Sequence, residues 1–525
     1  MPLKPVPEAS LHLVRPAVAP AAAPHTLRLR RIGIDTCQEM VVYLRSDCPI
    51  RTLQGFQAQS RLALWRQHAS ALTPVLATLN LVHGELLAPD EIGLSEAAWR
   101  ALGGIDGDLV NVAHAPELAS FSLVRQKIGG RPLSAAAARA IVGDIAAGRY
   151  ADMHMAALIA ACAGERMNVA ETVALTWAMV ECGAHLSWDN DIVVDKHCIG
   201  GLPGNRTTLI VVPIVAACGL TIPKTSTRAI TSPAGTADTM ETLAPVNLDV
   251  AAMRRVVGRE GGCIAWGGSV SLSPADDLLI RVERPLGIDS AGLLVASVLS
   301  KKIAAGASHV LIDIPVGPSA KVRSAQAGAA IAARLVTVGR ALGIAVNVQL
   351  TDGTQPVGRG IGPALEAFDV LAVLQNAPGA PDDLRQRALM LAGGVLEMGG
   401  RAAPGDGMAL AQSTLASGAA WRKFQAICAA QGGMRQPPRA AFTAPFVALQ
   451  AGRVVAIDNR ALANVAKLAG APGAAAAGLV YEAPVGAIVR VGQPLFTVHA
   501  DSPGQLACAL DYARRQERLI TFAPQ

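Results

Sequence analysis

Aromatic side chains are scarce in this chain: 8 Phe, 6 Trp and 4 Tyr make up 3% of 525 residues. So few rings leave no stacking platform for unpaired bases, and Arg28, Arg30 and Arg31 therefore read as a solvated strand face rather than an RNA-binding arm. An excess of one charge is missing too. The 46 basic and 40 acidic residues leave a formal net charge of +6 with no concentrated patch, which argues against a nucleic-acid partner. The 9 cysteines are scattered with no CxxC pair, which excludes a zinc ribbon or a disulfide framework and predicts a reducing, cytoplasmic setting. Long apolar runs are absent, although the mean hydropathy is +0.36. The longest run, Leu209–Pro223, is too short to span a bilayer and is interrupted by Pro213 and Gly219. No continuous apolar core of the signal-peptide kind stands near the N-terminus. A soluble protein without a membrane partner is expected.

What is plentiful is Ala, Leu and Val, with 51 Gly and 33 Pro, a mixture that suits a helix-rich α/β protein. The length allows about three or four domains. Residues 1–24, rich in Pro, Ala and Val, read as a flexible tail. Residues 25–90 carry short strand patterns and predict a small N-terminal β-containing domain. Residues 91–185 predict a helical domain. In it Ser134 is an N-cap, Asn168 and Glu171 form a capping box, and Gly183 stops a helix. Met153, Met155, Trp177 and Met179 read as core or helix-pair contacts, and His154 as a packed histidine.

From 186 to 433 buried strands at 263–268, 309–317 and 344–353 alternate with helices at 249–258, 290–305, 323–342, 363–375 and 382–398. Such alternation predicts a large, mostly parallel α/β domain with ligand loops at the carboxyl ends of its strands. Residues 441–525 predict a C-terminal α+β domain. Its glycine turns are similar to those of biotinyl and lipoyl carriers, but no lysine stands at the hairpin tip, so a structural module is expected.

The stretch 191–241 organises the rest. Ile192–Val194 reads as a strand delivering Asp195, Lys196 and His197 into a loop, Cys198–Thr207. A helix from Thr208 to Cys218, a strand near Ile222 and a second loop, Thr225–Thr236, follow. Strand, glycine turn and helix N-terminus gather free N–H groups and a positive dipole end, and Lys196 and the hydroxyls complete an anion cradle. A nucleotide P-loop is excluded, because no Gly-Lys-Ser/Thr closes GGLPGNRTT. GRGIG (358–362) lacks dinucleotide spacing and reads as a tight turn beside the site.

DKHCIGG (195–201) combined with STRAITSPAGTADTME (226–241) resembles the thymidine and pyrimidine-nucleoside phosphorylases, on Ser226, Arg228, Ala234-Gly235-Thr236, Asp238 and Glu241. The likeness covers roughly residues 100–525, and the N-terminal domain, GGLPGN and IPKTSTRAITS resemble the long branch that includes the AMP phosphorylases. Phosphorolysis is the implied reaction: orthophosphate attacks C1′ of the sugar while the base leaves. Phosphate is then a co-substrate, and neither metal nor cofactor is called for.

The resemblance implies phosphate contacts at Lys196, Cys198, Thr208, Ser226 and Thr236. It implies substrate contacts at Gly201, Thr227, Arg228, Ala229, Ile230, Thr231, Ser232, Ser297, Lys301 and Lys321. Asp289 matches the proton donor to the leaving base, which requires a raised carboxyl pKa through burial or a nearby anion; its structural alternative is a helix N-cap. His197 is the rival acid, and Asp195 and Asp238 are expected to fix loop backbone. Cys198 departs from the family serine and, as a thiol, donates weakly; its plain alternative is a buried filler.

Residues 274–304 are expected to pack with the helical domain, with Asp289, Ser297 and Lys301 on one helical face. The family habit and the apolar character of residues 150–183 imply a homo-oligomer. Thymidine is the first substrate expected. A nucleoside 5′-monophosphate phosphorylase, using Arg228 and Lys321 for the 5′-phosphate, stands as the alternative. More distant are an anthranilate-type phosphoribosyltransferase and a non-catalytic nucleotide-binding protein.

Overall fold

A computed structural model describes residues 25–67, 74–229 and 232–523. The tail expected at 1–24 and the positions Ile230 and Thr231 lie outside the described residues. The chain divides into two compact units: one runs up to Ser122 and includes Ala147–Met155, and the other holds Leu123–Ala146 and the residues from Ala156 onward.

In the first unit six strands close into a barrel. They are β1 (His25–Ile34), β2 (Val41–Arg45), β3 (Arg61–Arg66), β4 (Val75–Val82), β5 (Glu91–Ser95) and β6 (Leu109–His114), in the order β1-β5-β2-β4-β3-β6. Helix α1 (Pro49–Gln54) and helix α2 (Glu96–Leu102) sit in its connections, and the Ser95 hydroxyl caps α2 by accepting from the Ala98 N–H. Leu29, Leu44, Leu64, Ile92 and Val112 are among the side chains that fill the interior.

The domain limit expected at residue 90 is therefore too early. β1 pairs with both β5 and β6, so the barrel is open until residue 114 is reached. An open edge would leave backbone donors unpaired. His154 packs edge-on against Phe121 at 4.7 Å and Tyr150 at 5.8 Å, and burial lowers its pKa. Of the four residues expected to make core or helix-pair contacts, Met155 and Met179 are buried, whereas Met153 and Trp177 face solvent.

Helices α3 (Phe121–Ile128) and α5 (Asp152–Ala161) begin in the first unit and continue into the second, which also holds α4 (Ala135–Ala146) and α6 (Val169–Glu181). The Ser134 hydroxyl caps α4, and Asn168 with Glu171 forms the capping box of α6. Buried Glu171 also accepts from Lys127 Nζ at 2.5 Å and from the Leu133 N–H at 2.8 Å, fastening three segments to one carboxylate.

The α/β region runs β7 (Val194–Cys198), α7 (Thr208–Ala217), β8 (Ile222–Ser226), α8 (Thr236–Glu241), α9 (Val250–Glu260), β9 (Gly262–Trp266), α10 (Pro274–Leu286), α11 (Ala291–Ala304), β10 (His309–Val316), α12 (Ala325–Ala341), β11 (Ala345–Asp352), β12 (Gly360–Ile361), α13 (Pro363–Leu374), α14 (Asp382–Met398), α15 (Gly407–Ala416) and α16 (Ala419–Ala430). β11, β10 and β7 form a parallel sheet, β8 and β9 a parallel pair, and a parallel bridge between Val193 and Thr221 joins the two. The carboxyl ends of these strands therefore share one edge. α7, apolar on every side, is wholly buried. α11 packs on α6, and α10 on α4 and α6.

Two local expectations need correction. The first strand is not Ile192–Val194: Ile192 is exposed, and Asp195, Lys196 and His197 lie inside β7, paired with Val310, Leu311 and Ile312. Charged residues are tolerated there because buried partners meet them. GRGIG is not a free turn beside the site either. Gly360 and Ile361 form β12, paired with β15 (Gly478–Tyr481), and Asp369 binds the Arg359 and Gly360 N–H groups.

The C-terminal module adds β13 (Phe442–Val447), β14 (Gly452–Ile457), α17 (Asn459–Leu468), β16 (Ile488–Val489), β17 (Pro494–Ala500), α18 (Pro503–Arg515) and β18 (Ile520–Ala523). Its sheets, β12-β15-β17-β13 and β16-β14-β18, enclose a core that includes Val454, Leu462, Leu479 and Phe496. No described helix is long and apolar enough to cross a membrane.

Candidate active site

Two loops leave the shared carboxyl edge. The first, residues 199–207, follows β7 and enters α7; the second, 227–235, follows β8 and enters α8. Gly201, at φ +84°, lies against Lys321, since a Cβ there would stand 2.5 Å from the Lys321 N and Cβ. A side chain is thus excluded, and two expected substrate positions are brought together. Gly235 is equally confined, 2.5 Å from the Ala229 N, which folds the second loop back on itself.

Beneath the first loop lies a buried charge cluster. Lys196 is 0% exposed; its Nζ donates to Thr207 Oγ1 at 2.8 Å and stands 3.7 Å from Asp313. Asp195 pairs with Lys224 at 3.2 Å and, more closely still, with Lys302. Burial opposes ionisation of Asp195, but the two ammonium groups outweigh it and hold the carboxyl below its usual range. Lys302 is lowered by burial and by Lys224 beside it. Three buried lysines thus face two buried aspartates below the loop, with the Lys302 ammonium drawn down to about 7.

His197 is held well below the usual imidazole range, first by burial and then by Lys302, Lys224, Lys196 and Lys301. It is a neutral imidazole at pH 7, which removes it as a ready proton donor. Burial and Asp313 push the Cys198 thiol up to about 12, so it is no thiolate nucleophile; Asn205 Nδ2 donates to its sulfur at 3.5 Å.

The second loop is fastened from its own helix. Asp238 accepts from the Ala229 N–H at 2.6 Å and the Gly235 N–H at 2.8 Å. Arg228 donates to Asp238 at 3.2 Å and to Glu241 at 2.5 Å and 3.0 Å, and its guanidinium lies 4.9 Å from the centre of the Trp266 ring. This corrects the expectation that Arg228 is available for a 5′-phosphate: two carboxylates already engage it. Ser226 donates to the Ala265 carbonyl, Ser232 to the Ala234 carbonyl, and Thr227 offers its carbonyl to the Ala237 N–H. Thr208 and Thr236 open α7 and α8.

On the other side of the expected site, Ser297 and Lys301 share one face of α11, and both reach Asp276, at 2.8 Å and 2.5 Å. Asp289 does not join that face. It is exposed, precedes the helix, and offers its carbonyl to the Gly164 N–H, while Ser290 is the cap. Neither the cap alternative nor burial of its carboxyl is realised.

A cavity of about 540 Å³ opens between Arg228, Glu241, Arg435 and the 472–475 segment, and takes in none of the expected phosphate ligands. Among the described residues no three of His, Cys, Asp and Glu gather as a metal-holding group.

Residues that sequence reasoning passed over are Arg206, Thr207, Lys224, Asp276, Lys302, Asp313 and Glu366. Thr207 and Arg206 lay inside the recognised loop. The others gave no local signal, because their partners are remote in sequence.

The description "glycosyl transferase family, a/b domain" matches residues 190–421, and "glycosyl transferase family, helical bundle domain" matches 121–183. A protein of Polaromonas sp. (strain JS666 / ATCC BAA-500) named "Putative thymidine phosphorylase" is 60% identical over 505 residues, 96% of this chain and 98% of that one. Similarly named proteins of Acidovorax sp. (strain JS42) and Legionella pneumophila (strain Corby) are 62% identical over 93% of this chain and 54% over 94%, covering 94% and 95% of their own lengths. A crystal structure of anthranilate phosphoribosyltransferase from Thermus thermophilus aligns with 59% of this chain and 98% of its own, at TM-score 0.48 and 22% identity. On the relatives' identity and coverage, the chain belongs to the thymidine/pyrimidine-nucleoside phosphorylase family.

Proposed function

We propose that this pentosyltransferase catalyses the reversible phosphorolysis of thymidine, as a pyrimidine nucleoside, to free base and 2-deoxy-α-D-ribose 1-phosphate. A phosphate oxygen bonds to C1′ as the bond from C1′ to the base breaks, and the bonding electrons leave with the base. The observation that carries this reading is the pair of hydroxyl-bearing loops at one sheet edge above the Lys196, Lys224 and Lys302 charge. Preorganised positive charge in a dry site favours a multiply charged nucleophile and costs no rearrangement during reaction. Relatives 54–62% identical carry the thymidine phosphorylase name.

Lys196 acts from below, through the hydroxyl of Thr207, while Cys198, Thr208, Ser226 and Thr236 face the phosphate. Ser297, Lys301 and Lys321 hold the nucleoside, and Asp289 passes a proton to the leaving base. Closure of α10 and α11 toward the phosphate loops supplies the burial that Asp289 lacks in the present geometry. His197, being neutral, orients rather than protonates. The working form is a cytoplasmic homo-oligomer that needs no cofactor beyond orthophosphate.

The test is phosphate-dependent base release by the purified protein from thymidine, uridine, AMP and CMP. Thymidine should turn over fastest. Base release from the 5′-monophosphates alone would replace thymidine by nucleotides as substrates, and release from none would sink the proposal.

A further inference from the structure

Arg206 is the side chain that joins the two loops. It belongs to the first, between Asn205 and Thr207, yet all its bonds go elsewhere. Its Nη1 donates to Thr236 Oγ1 at 3.1 Å, its Nη2 donates to the Ala234 carbonyl at 3.0 Å, and its Nε pairs closely with Glu366. The side chain is 11% exposed, and that of Glu366 is 1% exposed. Glu366 is itself fixed: it accepts from the Gly362 N–H and from Thr239 Oγ1, each at 3.2 Å. Thr239 in turn belongs to α8, the helix that the second loop enters. One carboxylate on α13 therefore sets the guanidinium and the helix it reaches.

The bond to Thr236 has a chemical consequence. A hydroxyl has one proton to give and two lone pairs to receive. When its oxygen accepts a charge-assisted bond, its own O–H is left to donate elsewhere and is polarised for doing so. The same pattern recurs on the first loop, where Lys196 donates to Thr207 Oγ1. Thr207 in the first loop and Thr236 at the start of α8 thus each accept a bond from a cation, which leaves the O–H to act as donor.

We infer that Arg206, seated by Glu366, is a positioning residue for orthophosphate: it locks the second loop to the first and turns the Thr236 hydroxyl into a donor aimed at phosphate. The inference rests on the phosphorolysis reading of this site and deepens it. Arg206 does not touch the nucleoside, so its loss weakens phosphate in the forward reaction and the sugar 1-phosphate in reverse. Lysine at this position supplies charge but not three divergent N–H directions. Burial pushes the Glu366 carboxyl up to about 7, with Arg206 opposing, as befits a group held in place by its partner rather than by water.

Steady-state kinetics on Arg206→Met, Arg206→Lys, Thr236→Val and the Arg206→Met/Thr236→Val double variant test this, with KM measured separately for phosphate and thymidine. Arg206→Met should raise the phosphate KM by about 30-fold, the loss of one charge-assisted bond at the anion, and leave the thymidine KM within about twofold. Arg206→Lys should restore part of the loss, and Thr236→Val should add little once Arg206 is gone. A phosphate KM changed by less than about threefold, an equal rise in both KM values, or full additivity of the two losses would overturn the assignment. Should Arg206→Met not fold, Arg206→Lys and Thr236→Val carry the same comparison. Calorimetric titration with inorganic phosphate separates this from the functional reading. If the wild type binds phosphate without turnover, the reading of function fails, and weaker binding by the Arg206 variants still supports the clamp.

Discussion

The two loops present similar hydroxyls and are held by opposite means. The first rests on charges from distant strands and helices: Lys196 and Asp313 beneath Thr207 and Asn205, with Asp195, Lys224 and Lys302 behind them. The second is stapled by Asp238, a residue of the helix it enters. A loop held by buried ion pairs fails badly when one partner is removed, because the other charge stays behind in a dry place. A loop stapled mainly by a local carboxylate, with Arg206 reaching over from the first loop, loses a few hydrogen bonds whose groups lie nearer water when that carboxylate is removed.

The largest expected effect breaks the support of the first loop. Asp195→Ala leaves Lys224 and Lys302 buried without a counter-charge and should cost about 3–5 kcal/mol in urea unfolding. An unchanged midpoint would mean that the cluster is not under load. Next comes Lys196→Met, which removes the cation below Thr207; kcat/KM for phosphorolysis should fall by about 300-fold. Asp238→Ala, the matching cut in the second loop, should cost about 1–3 kcal/mol of stability and slow phosphorolysis by about tenfold. A loss as large as that of Lys196→Met would erase the contrast between the loops.

Smaller effects sharpen the contrast. The pKa of His197 is lowered by folding, so the unfolded chain takes up a proton near pH 6.5 that the folded chain refuses. Stability from the neutral ring is therefore present above about pH 6.5 and lost as pH falls below it. Relative to His197→Asn, the wild type should lose at most about 1.4 kcal/mol per pH unit over that range, read from melting curves at pH 7.5 and 5.5. Parallel curves would show that the lysines do not act on the ring. Smallest is Cys198→Ser, which supplies a better donor and should lower the phosphate KM by about threefold. With its thiol pushed up to about 12, Cys198 should also resist iodoacetamide at pH 8 while exposed Cys37 and Cys508 are alkylated.

Much of this was legible along the chain. The cap at Ser134, the box at Asn168 and Glu171, the helix from Thr208 and the alternation of strands and helices after residue 240 are short-range patterns, and they stand where expected. The two loops were recognisable from glycines and hydroxyls, and Asp238 was expected to fix loop backbone, as it does. The barrel boundary was not, because β5 and β6 look like ordinary short strands until β1 is found between them. The face shared by Ser297 and Lys301 followed from helical spacing, but Asp289 stands just before the Ser290 cap and so lies outside the helix.

By itself the sequence determined the class of the fold, the family, and the two glycine- and hydroxyl-bearing loops, since capping, periodicity and motif spacing act over a few residues. Only the tertiary structure decided which charges meet. Lys302 reaches Asp195 across 107 residues, Glu366 and Arg206 meet from separate helices and loops, and Arg228 is bound by Asp238 and Glu241 instead of standing free. The reason is electrostatic. In a buried setting a charge is governed by whichever opposite group folding brings within a few ångströms, and no local pattern names that partner.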